Sequence, residues 1–184
     1  MTNKRRTSLA YTLVSLVSLL SLAPLSGCAA FAAESARSDT LRARVMQYEY
    51  PQPCQLVWPT VQQVLAEKNF VLYENGMFVG QTNEIPDGTT AVIRYSAQAM
   101  VTAPGGCRVI VNRVRRWVNS TTEPSVERQF ELELAILQRM DPNAAMAFQQ
   151  EANQRGAEAR AAYEQQKAAE RAAKEAAKNP PPAK

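Results

Sequence analysis

Apolar residues recur along this chain in four successive patterns, and each predicts a different kind of segment. From Leu9 to Ala23 they form a nearly unbroken block (LAYTLVSLVSLLSLA) behind Lys4, Arg5 and Arg6. Val57, Val61, Val64 and Leu65 fall on one helical stripe. Ala91, Ile93, Tyr95, Ala97, Ala99 and Val101 alternate as one face of a strand. From Asn143 to Lys178 large apolar residues almost vanish, leaving Met146, Phe148 and Tyr163 among Ala, Glu, Gln, Lys and Arg.

Turn residues divide the middle of the chain. Leu41 to Tyr50 carries the β-formers Val45, Tyr48 and Tyr50 and ends at Pro51, which predicts a strand. A helix is expected from about Gln55 to Lys68, with Trp58 beside its stripe and Pro59 near enough to its start to be tolerated. Asn75-Gly76 between 70–74 and 77–81 predicts a hairpin closed by a type I′ turn, because both central residues of that turn need positive φ. Pro86-Asp87-Gly88 turns the chain again before a strand over Thr89–Thr102. Ala103-Pro104-Gly105-Gly106 leads to a partner strand over Cys107–Asn119. There Val109 and Val111 oppose Ile110, Val114 and Val118, a mixed pattern that points to a bulge or a change of covered face. The stretch after Pro124 fits either a strand or a helix. The helix is favoured, with Val126, Phe130, Leu134 and Leu137 on one face, and Asp141-Pro142 caps the helix that follows. In that last helix Glu151/Arg155, Arg160/Glu164, Glu170/Lys174 and Arg171/Glu175 are opposite charges four apart.

The expected architecture is α+β: an antiparallel sheet with helices packed on one face, plus a projecting C-terminal Ala/Glu/Lys-rich helix. Four parts are expected: a leader over 1–27, a flexible tether over 28–40, the α+β domain over 41–140, and a charged helix with a proline tail over 141–184. The last part reads either as a reach for a partner or as an inert spacer.

Composition narrows the chemistry. The 184 residues include no histidine, which removes a Ser-His-Asp triad, a Cys-His pair and the usual His-containing zinc sites. The formal charge of +4 is largely a property of the leader. Without Lys4, Arg5 and Arg6, the 21 basic residues fall to 18 against 17 acidic ones, and no electrostatic case for nucleic acid remains. No glycine loop is placed to cradle phosphate, and the acids fall in helical ion-pair patterns or beside turns. No catalytic residue, metal site or cofactor is expected. Arg108, Arg113, Arg115 and Arg116, beside Trp117, form the one local basic cluster. It is a candidate contact for lipid or lipopolysaccharide phosphates, or for an acidic partner. The plainer reading is a solvated strand end neutralised by Glu123, Glu127 and Glu131.

Leu25-Ser26-Gly27-Cys28, directly after the basic and apolar segments, resembles the lipobox of bacterial lipoproteins. The apolar block also falls short of the roughly 20 residues a spanning helix needs. The resemblance implies that Cys28 is acylated and becomes the mature N-terminus, anchoring the chain to a membrane. Ala29, where aspartate would retain an enterobacterial lipoprotein in the inner membrane, implies the outer membrane, facing the periplasm. With Cys28 used by lipid, Cys54 and Cys107 are expected to pair in an oxidising compartment, two free thiols being the alternative. The run from Tyr48 through Val57-Trp58 and Phe70-Val71 to Gly80 is loosely similar to the helix-grip domains of lipoprotein subunits of the outer-membrane β-barrel assembly machinery. No function is carried over from it. Two functions follow: a non-catalytic envelope lipoprotein acting as an interaction or assembly module with a protein partner, or a small domain binding an envelope lipid or glycan between helix and sheet.

Overall fold

The computed structural model describes residues 24–178, with only the backbone of 24–27; the expected leader block over 9–23 and the proline tail lie outside the described residues. The elements run α1 Pro24–Gln47, α2 Cys54–Glu67, β1 Leu72–Gly76, β2 Val79–Thr82, β3 Ile85–Asp87, β4 Ala91–Thr102, β5 Gly106–Trp117, β6 Ser125–Arg128, α3 Phe130–Met140 and α4 Pro142–Lys178. The chain divides into two compact units, one of residues 40–151 and one in which 24–39 join 152–178.

The larger unit is α+β. Its antiparallel sheet has the order β1-β2-β4-β5-β6, and β3 pairs with β4 beyond the end of β2. The alternation expected along β4 holds: Ala91, Tyr95, Ala97 and Ala99 are buried, and only Val101 departs from the face, being exposed at the strand end. In β5, Cys107, Val109 and Val111 supply the matching buried face. Helices α2 and α3 lie on this face, and the predicted stripe of Val57, Val61, Val64 and Leu65 is buried together with Trp58. Ile136 and Leu137 of α3 complete the layer, both fully buried.

Several local expectations are corrected. Residues 29–47 are helical, where a flexible tether and a strand were expected. Leu41 and Val45, four apart, turn one helical face into the core. Strand geometry survives only at Tyr50, which exchanges both backbone hydrogen bonds with Cys107 at 2.7 and 2.9 Å. The 70–81 hairpin is present, but its turn is Met77-Phe78, with the bulge at Glu74/Gly76. Phe78 takes φ of 58° and packs toward Trp58, so a core contact, not the Asn-Gly pair, sets the reversal. The predicted bulge in β5 is absent, since β4 and β5 pair without a shift from Ala91↔Trp117 to Thr102↔Gly106. Its mixed pattern reflects two partly covered faces. After Pro124 the chain is first strand and then helix; Val126 is exposed in β6, and the buried face of α3 is Leu132, Glu133, Ile136 and Leu137. Pro59 is the sixth residue of α2, so that helix forgoes the bond to the Gln55 carbonyl, and the ring stays exposed. The cap on α4 is as expected: Asp141 Oδ1 accepts from the Ala144 amide at 3.0 Å, with Pro142 at the first helical position.

The smaller unit is a pair of antiparallel helical segments joined by small side chains. A Cβ on Gly156 would stand 2.9 Å from the Ala33 carbonyl oxygen, so glycine permits this approach. Ala29 and Ala152 are buried. The sparse composition of 143–178 thus denies it a large-residue core but not a close helix partner.

Candidate functional site

The residues singled out by sequence separate into four places. Cys28 is an exposed free cysteine on α1 in the helical unit. The neighbouring Ala29 is buried, and the proximity of Cys28, with burial, raises the Tyr163 phenol of α4 above its ordinary range. Lys167 lies 5.8 Å from the Tyr163 ring centroid. Ala29, beside Cys28, and one stripe of α4 line a common groove.

Cys54 and Cys107 form a disulfide, with Cα atoms 5.0 Å apart and both side chains fully buried. It ties the first turn of α2 to the second residue of β5. The same cysteine that pairs with Tyr50 through its backbone thus joins three chain segments through one residue.

The four arginines do not converge on an open anion site. Arg113 pairs with Glu127 at 2.8 Å, Arg115 with Asp87 at 2.8 Å, Arg116 with Glu84 at 2.8 Å, and Arg108 with Glu49. Only Glu127 is among the acids that sequence proximity offered as partners. The rest arrive from β3, its approach and the segment before Tyr50. Arg115 also lies 4.3 Å from the Trp117 ring centroid. All four are partly exposed, so solvent screens each pair and none adds much to stability. Among the described residues, Arg160/Glu164 is the one of the four anticipated pairs of α4 to form a direct ion pair, at 2.9 Å, while Glu151 reaches Arg44 at 2.8 Å.

The strongest polar cluster escaped the sequence reading. Glu133, 2% exposed, accepts from the Val111 amide at 2.9 Å and pairs with Arg128 at 2.8 Å. Arg128 donates to the carbonyls of Met46 at 2.7 Å and Val109 at 3.4 Å. These contacts occur where β6 ends and β5 would otherwise present unpaired backbone groups. The pair closes that edge, and Gln129 completes it by donating its amide to the Val111 carbonyl at 2.7 Å. Burial pushes the Glu133 carboxyl up, opposed by Arg128 and the Val111 amide. Its signal was legible: Glu133 shares a helical face with Ile136 and Leu137.

A second contact joins Tyr48 to the α4 cap. Its hydroxyl donates to Asp141 Oδ2 at 2.6 Å, and burial followed by this bond pushes the phenol up to about 12. The Tyr48 hydroxyl and the Ala144 amide in turn hold Asp141 below the usual carboxylate range.

Concavities in the α+β unit lie at loops and sheet edges. One of about 290 Å³ runs between Glu49–Pro51 and Thr102–Gly106, and one of about 150 Å³ involves Glu84, Arg94, Val114, Arg116 and Pro124. Among the described residues no three His, Cys, Asp or Glu side chains group as metal ligands, and no helix is long and apolar enough to cross a membrane. No protein-family model matches the chain, and neither a curated protein nor a solved structure matches it.

Proposed function

We propose that this chain is the precursor of an envelope lipoprotein, anchored through acylated Cys28 in the outer membrane and facing the periplasm, where its α+β unit acts as a non-catalytic interaction or assembly module. The observation that carries the reading is Leu25-Ser26-Gly27-Cys28 immediately after a basic trio and an apolar block. Cysteine usage supports it, since Cys28 is exposed while the other two cysteines are paired with each other. That division suits a chain oxidised after export. Two or more acyl chains would give the stable anchoring that one alone does not.

A ligand-binding role would favour a hollow between helices and sheet. That space is occupied by Val57, Val61, Leu65, Val111, Ile136 and Leu137, all fully buried. A filled interior leaves the outer surface to do the work, which favours a module that meets a protein partner. The test is purification of the chain from cross-linked cell envelopes. Its N-terminal fragment should start at Cys28 and carry the added mass of acyl groups, and an envelope protein should be joined to residues of the 40–151 unit. A mature start elsewhere overturns the anchor, and a chain cross-linked to no protein overturns the module.

A further inference from the structure

The helical unit carries a groove of about 280 Å³ beside Cys28, lined by the cations of Arg160, Lys167 and Arg171, the carboxylate of Glu164, the Tyr163 ring and the methyl groups of Ala29 and Ala168. Residues 160, 163, 164, 167 and 171 recur at three- and four-residue steps, so one stripe of α4 supplies the polar lining. Arg160 is held to Glu164 at 2.9 Å and Lys167 to Glu170 at 3.3 Å, whereas Arg171 makes no ion pair among the described residues. Glu164 and Glu170 offset two of the three cations, so the lining and its ion-pair partners keep one positive charge, that of Arg171.

We propose that this groove holds the phosphate of an anionic phospholipid headgroup in the leaflet that receives the Cys28 acyl chains. The inference rests on the lipoprotein reading, because acylation would put Cys28 at headgroup level. Ala29, the next residue along the chain, lines the groove, so the groove lies within about a side-chain length of the same plane. Tyrosine favours such interfaces, where its ring meets apolar matter and its hydroxyl meets water. The stems of Lys167 and Arg171 can run along the alanine surface while their charges reach a phosphate. The guanidinium fork of Arg171 matches two phosphate oxygens. The anchor and the groove would then fix the helical unit at two points, where the acyl chains alone would leave it free to swivel.

The experiment uses the lipidated chain reconstituted in vesicles of phosphatidylcholine alone, or of phosphatidylcholine with phosphatidylglycerol. Backbone hydrogen exchange over residues 160–171 and the acyl mass on Cys28 are read from the same samples. Exchange should slow by about fivefold with phosphatidylglycerol. The double variant Lys167→Gln/Arg171→Gln, with helicity and acylation retained, should lose that difference. Equal exchange in both vesicles with Cys28 acylated overturns the groove and leaves the lipoprotein reading intact. A difference that survives in the double variant also overturns the groove. A Cys28 without acyl mass overturns both.

Discussion

The two units solve helix packing with opposite materials. In the 40–151 unit, α2 and α3 bury valine, leucine and isoleucine against a sheet, and a disulfide crosses the interior. In the 24–39/152–178 unit, helices approach through Ala29, Ala33, Ala152 and Gly156, and exposed ion pairs line the outside. Each buried leucine-sized chain contributes about 1.5–3 kcal/mol, while an alanine methyl contributes nearer 0.8. Small residues therefore specify how close two helices come without supplying much energy. A unit built that way should open first, and its stability should respond to steric changes more than to lost volume.

The largest expected effect is on the disulfide. Replacing Cys54 and Cys107 by serine frees a 53-residue separation. It should cost the α+β unit about 4 kcal/mol in denaturant unfolding. A loss well under 1 kcal/mol would show that the large-residue core holds its geometry without the cross-link. Next is Glu133→Ala, which strands Arg128 and the Val111 amide where β6 leaves the edge of β5. About 3 kcal/mol should be lost. Glu133→Gln should recover part of it, since an amide oxygen can still accept from Val111. If both variants melt as the parent does, the edge is closed by backbone pairing alone.

The smallest effect isolates the second unit. Gly156→Leu places a Cβ against the backbone oxygen of Ala33, which cannot yield as a side chain end would. The helical pair should open at a cost of about 1–2 kcal/mol, read as faster proteolysis within residues 29–39. Both tryptophans, Trp58 and Trp117, belong to the other unit. Their fluorescence-monitored unfolding should therefore shift by less than about 0.5 kcal/mol. A matching loss in both readouts would show that the units unfold as one.

What the sequence decided by itself were the features governed by local period or by a capping residue. The stripe of α2, the alternation of β4, the cap by Asp141 and the α+β class all follow from spacings of a few residues, whose geometry the backbone imposes. The Cys54–Cys107 pairing was also readable, by counting cysteines after Cys28 was set aside. Tertiary structure decided whatever depended on distant partners. Residues 29–47 became helix because their small residues meet Gly156 at one end while Leu41 and Val45 meet the core at the other. The 70–81 hairpin turned at Phe78, not at Asn75-Gly76, because that aromatic ring lies against Trp58. The arginines of β5 found Glu49, Glu84 and Asp87, and Glu133 became an edge cap, because the fold carried those groups together. Local backbone preferences amount to tenths of a kcal/mol up to about one per residue, and burial of a large side chain or a charge outweighs them wherever the two disagree.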